Sequence, residues 1–258
     1  MHELFITAAV KADDFDMACA ILQGLTWMTA RRSVYRILFF AGLPQPKGLP
    51  NPRAFQMTHL RALWQELAKH LSRSSYVVQA AYPVSPDADF GKGTAMEFNT
   101  LPGTLRWTDL PDPWRDTPVI SRKKLEIPEQ SNLQVALTDN NYKYQNELVQ
   151  ESYSFVRGNV EFVFSRYYHL PDSPGRAVTV LPAWADLRPV DPAQKWVLNV
   201  KLNVPDDSQP DNVKKATEEL MAVKAELDRM FDFKVVDRRV FDTRIAPPPI
   251  VPGRGIPK

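Results

Sequence analysis

The sequence has a single cysteine, Cys19, among its 258 residues. One cysteine excludes an internal disulfide framework and a zinc site built from cysteines, so we expect an intracellular, reducing environment. Long hydrophobic runs are also missing, since none approaches the roughly 20 residues that a membrane-spanning helix needs. The N-terminal stretch MHELFITAAV carries an acidic residue and no lysine or arginine, so we expect a strand there and no signal peptide.

A large excess of charge of either sign is absent. The 32 lysines and arginines nearly balance the 30 acidic residues, which leaves a formal net charge of +2. Direct binding to nucleic acid or to an anionic membrane needs a clustered positive field, so the composition argues against both. Glycine is scarce too, at 10 residues against 23 prolines. Most prolines lie between periodic segments, so we expect stiff surface loops near residues 43–53 and 85–103.

Common catalytic motifs are missing as well. The sequence contains no G-x-S-x-G, G-x-G-x-x-G or G-x-x-x-x-G-K-[ST] motif, and Phe90–Thr94 (FGKGT) resembles a phosphate loop only superficially. The four histidines are dispersed, and His59 and His70 would lie about three helical turns apart, too far to share a metal. Acidic residues of the predicted strands form no E-x-E pair that would point two carboxylates into one cavity. We therefore predict no catalytic residue, no metal site and no cofactor.

Charged residues in the predicted strands have simple structural explanations. Glu151 and Glu161 are expected to face each other across a hairpin, at exposed positions, because a buried carboxylate pair would be costly. The basic residues of Arg122–Lys124 and Arg238–Arg239 suit either contact with phosphate or a solvated strand edge that resists aggregation. The edge is the commoner use.

The clearest periodic pattern runs from Trp196 to Arg244. WVLNVKLNV alternates apolar and polar residues, which predicts a strand with one buried face. From Val213 to Met230, apolar residues recur at spacings of three and four, which predicts a helix of about five turns with Asp211 as its N-cap. The segment KVVDRRVFDTRI is then typical of another strand.

Two further helices are predicted earlier in the chain. The first has an apolar stripe from Phe15 to Leu25 and a cap at Asp13 or Asp14, and Gly24 is expected to weaken and help end it. The second begins at a Thr58 cap and continues to about residue 71.

The pattern as a whole predicts one compact domain. Gly158-Asn159 separates two apolar runs and is the strongest hairpin signal. We count eight or nine strands, about three helices and one helical turn near Leu133–Leu137. A closed barrel removes exposed strand edges most completely. We therefore predict an α+β fold over residues 1–245, with a mostly antiparallel β-barrel-like sheet and about three flanking helices. A proline-rich tail follows at 246–258. Aromatic side chains are expected to fill the barrel: Phe155, Phe162, Phe164 and Trp196.

Several short segments resemble one known family in the order in which they occur. They are Met1–Leu4 (MHEL), Trp107–Pro111 (WTDLP), the hairpin at 153–164 and Asp237–Arg244 (DRRVFDTR). Together they are similar to subunit 18 of the fungal Mediator of RNA polymerase II transcription complex. The tail after Arg244 has no counterpart in that family.

This resemblance implies a nuclear, non-enzymatic coactivator subunit of the Mediator head module, with a β-barrel flanked by helices. It also implies pairing with the similarly folded subunit 20 and tethering by the C-terminal helix of subunit 8. The barrel of this family is related in shape to metal-dependent RNA triphosphatases, so a metal-dependent phosphohydrolase is the alternative function. A direct nucleic-acid binder is a weaker one.

Two features separate the adapter from the hydrolase. A lumen lined by carboxylates and basic residues would favour the hydrolase, whereas an apolar, aromatic lumen would favour the adapter. An adapter also needs an apolar groove that accepts a partner helix. Methionine suits adaptable contact surfaces, and Met17, Ile21 and Met221 lie at the rims of the predicted helical stripes. We therefore predict that these three residues border the partner-helix groove.

Overall fold

The computed structural model describes residues 1–49, 60–113, 117–171, 175–205 and 209–246. Eight antiparallel strands form a closed barrel in the described part of the chain. The barrel strands are β1 (His2–Val10), β2 (Arg31–Ala41), β3 (Val77–Pro83), β4 (Gly103–Thr108), β5 (Ile120–Gln130), β6 (Lys143–Arg157), β7 (Val160–His169) and β9 (Trp196–Val204). Two short strands, β8 (Arg188–Pro189) and β10 (Phe233–Lys234), add to β7 and β1.

The order of strands around the barrel is β1-β5-β4-β3-β2-β6-β7-β9, and β9 closes the ring by pairing with both β7 and β1. The predicted hairpin is confirmed: Arg157 pairs with Val160, which leaves Gly158 and Asn159 as a two-residue turn. Gly158 has φ of +60°, a conformation that costs glycine little. The predicted barrel-like α+β fold is therefore correct.

Five α-helices lie outside the barrel in the described residues, where about three were predicted. They are α1 (Phe15–Thr26), α2 (Arg61–Leu71), α3 (Pro86–Asp89), α4 (Leu133–Asp139) and α5 (Pro210–Leu227). α1, α2 and α5 are the predicted helices, α4 extends the predicted turn, and α3 is a single turn within the predicted 85–103 loop. No helix in the described ranges has both the length and the apolar character needed to cross a membrane.

The positions of the helices were predicted more accurately than the residues at which they begin and end. A 3-10 turn at Ala12–Asp14 precedes α1, and Asp14 makes no side-chain cap bond to that helix. α5 begins at Pro210 with Gln209 as its N-cap, so Asp211 lies inside the helix and is not its N-cap. Gly24 does not end α1, because the helix continues to Thr26 and Trp27 follows in the left-handed conformation, with φ of +57°. The predicted Thr58 cap lies outside the described residues.

The hydrophobic core lies between the barrel wall and the helices, not inside the barrel. Phe155, Phe162, Phe164 and Trp196 are buried in a cluster with residues of α1 and α5. A second cluster contains residues of α2 and α4. The prediction that these four aromatic residues fill the lumen was therefore wrong. Each helix has one apolar stripe, which must pack against the apolar face of the strands, so that face points outward and the polar face points into the lumen.

The segment after α5 also differs from the prediction. Of the expected final strand, which begins at Lys234, only that first residue pairs with β1, together with the preceding Phe233. Residues Arg238–Phe241 then form a 3-10 turn, in which Asp237 accepts a hydrogen bond from the backbone N–H of Arg239. This local side-chain bond competes with strand pairing. The chain continues as the C-terminal strap, which we define as residues 237–245.

The C-terminal strap crosses one mouth of the barrel. The Phe241 ring meets the edge of the lumen-facing Phe5 ring at 5.4 Å between centroids. The Thr243 hydroxyl donates to the Thr108 carbonyl, and the Thr243 carbonyl accepts from Val77 N–H at 2.7 Å. These contacts make the strap an integral part of the domain.

Candidate partner surface and barrel lumen

The barrel lumen is a polar cavity of about 750 Å³. Its wall consists of the residues that alternate with the outward-facing core residues. Among the described lining residues, the charged ones are Glu3, Arg31, Arg106, Arg122, Lys124, Glu126, Glu161, Lys201 and Asp242. This composition contradicts the expectation of an apolar, aromatic lumen. Arg122 and Lys124 lie on β5 inside the closed ring, so their prediction as a solvated strand edge was also wrong.

The inward carboxylates are held by inward cations. Glu3 contacts Arg122 Nη2 at 2.6 Å and Lys124 Nζ at 3.1 Å. Burial raises the pKa of Glu3, but the nearby charges of Lys124, Arg122 and Lys201 outweigh it and lower the pKa from 4.5 to about 2. The Glu3 carboxylate is therefore ionised and paired at neutral pH.

The other two inward glutamates are paired in the same way. Glu126 contacts Lys124 at 3.3 Å and Arg106 at 3.5 Å, and Glu161 contacts Lys201 at 3.0 Å. A site for a divalent metal needs several carboxylates free to bind it. No group of three or more histidine, cysteine, aspartate or glutamate side chains in the described ranges is arranged to hold a metal ion. The lumen is as polar as the hydrolase alternative requires. Its described part, however, contains no set of side chains that converge to bind a metal ion.

One side of the lumen is lined by neutral polar groups. Tyr35, Gln150 and Tyr167 are direct cross-strand neighbours on β2, β6 and β7. Gln150 donates to the Tyr167 hydroxyl at 3.1 Å. The next inward row on the same strands is Ser33, Ser152 and Ser165. Hydroxyl and amide groups therefore converge on this side of the cavity.

The expected exposed pair of Glu151 and Glu161 does not exist. Glu151 lies opposite Arg166, on the outer face, and is buried. Its carboxylate accepts from Arg32 and Arg166, each at 2.9 Å, and from the Tyr168 hydroxyl at 3.1 Å. In the β6–β7 pairing, the inward positions are even-numbered on β6 and odd-numbered on β7. Glu151 therefore points outward while Glu161 points into the lumen.

A second buried ion pair holds the loops that cover β2 and β6. Arg36 Nε donates to Glu147 at 2.7 Å, and Glu147 accepts from Val178 N–H at 2.6 Å. The Arg36 guanidinium also lies 4.6 Å from the ring centre of Phe98. Phe98 belongs to the predicted surface loop 85–103 and is buried. Sequence reasoning missed this site, because nothing in the alternation of β2 marks Arg36 as an outward, buried charge.

The predicted groove residues lie on the two helices over the first core cluster. Met17 is 62% exposed, whereas Ile21 is half-buried against the core and Met221 is half-buried on α5. Phe15 of α1 and Phe231, which follows α5, both contact Phe164, with ring centroids 5.4 and 6.4 Å away.

The outer face of α1 carries a further residue that sequence reasoning missed. Trp27 is 92% exposed and directly follows the helix. Met17, Ala20 and Gly24 are exposed and follow helical spacings of three and four, so they share one face of α1. We call these three residues together with Trp27 the exposed stripe of α1. A Cβ added to Gly24 would meet no atom within 4 Å, so the chain's own packing does not require glycine there. The spacing was visible in the sequence, but the exposure of Trp27 was not.

Comparison with known proteins agrees with the sequence resemblance. Residues 2–244 match the family model described as Med18 protein. The chain is 26% identical to Mediator of RNA polymerase II transcription subunit 18 of Aspergillus fumigatus over 269 residues, which covers 95% of this chain and 99% of the relative. The same identity and coverage hold for the protein of that name from Neosartorya fischeri.

A solved structure, that of the Schizosaccharomyces pombe Mediator head module, contains a chain with a similar fold. The TM-score is 0.66 at 14% identity, and the match covers 92% of this chain and 99% of the other. The curated relatives are named as a subunit of a transcription complex, which confirms the non-enzymatic prediction and decides against the hydrolase. The match over residues 2–244 shows that this chain belongs to the Med18 protein family.

Proposed function

We propose that the chain is a nuclear adapter of the Mediator head module that pairs with subunit 20 and is tethered by the C-terminal helix of subunit 8. Family membership supports the complex, and one observation supports the docking of a helix: the exposed stripe on α1. Its two ends are large apolar side chains, Met17 and Trp27, and its centre is small, at Ala20 and Gly24.

The small centre favours close approach of a second helix. Glycine in a helix interior costs about 1 kcal/mol relative to alanine, and the chain's own packing does not use the space at Gly24. A partner backbone lying over Gly24 would place its side chains between Met17 and Trp27. Burial of a tryptophan removes about 150–250 Å² from water, so Trp27 alone is able to act as an anchor residue.

Charge gives the docking a direction. Asp13, Asp14 and Asp16 are exposed at the start of α1. An amphipathic partner helix is expected to bring basic residues to this acidic end. Met221, half-buried on α5, and Ile21 would border the same surface.

The test is co-purification of the full chain with the C-terminal segment of subunit 8. Met17→Asp places a charge in a contact that becomes desolvated, which costs a few kcal/mol, so we expect capture to fall at least tenfold. Met17 is preferred to Ile21 for this test because its exposed side chain does not contribute to the fold. Trp27→Ala should weaken capture in the same direction.

Val135→Asp is the matched control, because Val135 is an exposed apolar residue on α4, which packs against the other core cluster. We expect this variant to capture the segment as well as the unmodified chain. Circular dichroism checks that all variants are folded. Folded Met17→Asp and Trp27→Ala proteins that bind the segment normally would place the docking surface elsewhere. Subunit 20 is tested separately, by size-exclusion chromatography of the mixed subunits.

A further inference from the structure

Arg106 is held less tightly in the barrel lumen than Arg122 and Lys124. Its Nε atom is buried and makes no hydrogen bond. The distance from that nitrogen to Glu126 is 3.5 Å, and Arg106 Nη1 reaches Gln150 at 3.4 Å. Charge-assisted hydrogen bonds to arginine are usually about 2.7–2.9 Å long. Arg106 therefore retains donor capacity inside a cavity, unlike Arg122, which contacts Glu3 at 2.6 Å.

Besides Glu126, neutral hydrogen-bonding groups lie near the Arg106 guanidinium. It lies 4.9 Å from the centre of the Tyr35 ring, and Gln150 joins it to the Tyr167 hydroxyl. Burial raises the pKa of Tyr167, and the positive charges of Arg106 and Arg122 oppose that rise. The Tyr167 hydroxyl is thus protonated near two cations and can both donate and accept.

The charge balance of the lumen favours an anion over a cation. Five basic and four acidic side chains line its described part, and Asp242 is already held by Arg244 at 2.8 Å. The side chains of Arg106 and Glu126 remain 22% and 36% exposed, so solvent and small ions reach them. A cavity of about 750 Å³ lies within the usual range of about 300–1,000 Å³ for small-ligand sites.

We propose that the lumen binds a small oxyanion of the phosphate or sulfate class between the Arg106 guanidinium and the hydroxyls of Tyr167 and the neighbouring serines. The site binds without reaction, since the described lumen holds no nucleophile–base pair and no convergent metal ligands. It lies inside the barrel and does not depend on the partner surface of α1. An anion there would accept hydrogen bonds from Arg106 and link β4 to β6 and β7 across the cavity.

The experiment titrates the full chain with inorganic phosphate and with pyrophosphate at constant ionic strength, with chloride as the reference. Thermal unfolding and calorimetry measure the binding. At an anion concentration tenfold above Kd, we expect the melting temperature to rise by about 3–6 °C. Arg106→Gln removes the charged fork and should weaken binding by tenfold or more.

Arg157→Gln is the matched control, because Arg157 pairs with Glu226 outside the barrel, and it should bind the anion normally. Tyr167→Phe removes only a hydroxyl and should weaken binding to a smaller extent. It replaces Arg106→Gln as the decisive variant if the latter does not fold. The inference is overturned if the unmodified chain binds neither anion, or if the folded lumen variants bind as well as Arg157→Gln does.

Discussion

The buried pair of Arg36 and Glu147 should be a major source of stability. The Arg36 side chain is 0% exposed and the Glu147 side chain 4% exposed. Glu147→Ala would leave the guanidinium without a counter-charge and the Val178 N–H without its acceptor. Removal of one partner of a buried ion pair costs about 3–5 kcal/mol, and loss of the amide bond adds about 1 kcal/mol.

Urea denaturation measures this loss directly as a lower free energy of unfolding. In thermal unfolding, 1 kcal/mol corresponds to roughly 2–4 °C in melting temperature for a domain of this size. We therefore expect the melting temperature of Glu147→Ala to be lower by on the order of 10 °C. Hydrogen exchange should increase at Met96, because its backbone N–H donates to the Thr179 carbonyl at 2.9 Å, in the segment next to Val178.

Two comparisons make this prediction specific. Glu226→Ala removes the exposed pair with Arg157 and should cost no more than about 1 kcal/mol. The double replacement Arg36→Met with Glu147→Leu removes both charges and should recover most of the loss, because buried pairs are often replaceable by apolar residues of similar volume. If Glu147→Ala and Glu226→Ala lowered stability equally, the buried charge of Arg36 would not be the cause.

Three further predictions concern the lumen and the chain end. Glu3 has a pKa of about 2 in the folded protein, against an ordinary value of 4.5. Its contribution of about 3 kcal/mol to the free energy of unfolding is present above pH 4.5 and disappears as the pH falls from about 5 to 2. This part of the pH dependence of stability should vanish in Glu3→Gln. Deletion of residues 246–258 should leave the melting temperature unchanged, whereas deletion from Asp237 onward should lower it, because the Phe241 and Thr243 contacts are lost. The purified chain should release no phosphate from nucleoside triphosphates with Mg²⁺ or Mn²⁺; metal-dependent release that disappears in Glu126→Gln would contradict the adapter function.

Most of the elements were predictable from local patterns. Alternation from Trp196 to Val204 and the turn at Gly158-Asn159 are signals that depend only on residues close in the chain. The final strand was not predictable in this way. Its residues have strand propensity, but β1 offers it only the short edge that β5 leaves free beyond Phe5, and the Asp237 side chain favours a turn.

The exposed residues of α1 were predictable only in part. Met17 was identified from its position at the rim of a stripe, and it is exposed. Trp27 was missed, because a tryptophan after a helix is as consistent with a buried cap as with an exposed anchor. Exposure depends on which neighbouring element covers a residue, and local sequence does not contain that information.

The sequence by itself determined which residues share a face of each strand, since the side chains of a strand alternate with a period of two. Only the tertiary structure decided which face is inside. A helix with a single apolar stripe needs an apolar surface to pack on, so α1 and α5 draw Phe155, Phe164 and Trp196 to the outside of the barrel. The polar residues are left in the lumen. Pairing of β1 with β5 brings Glu3 to Arg122, and closure of the barrel brings Arg106 of β4 to Gln150 of β6.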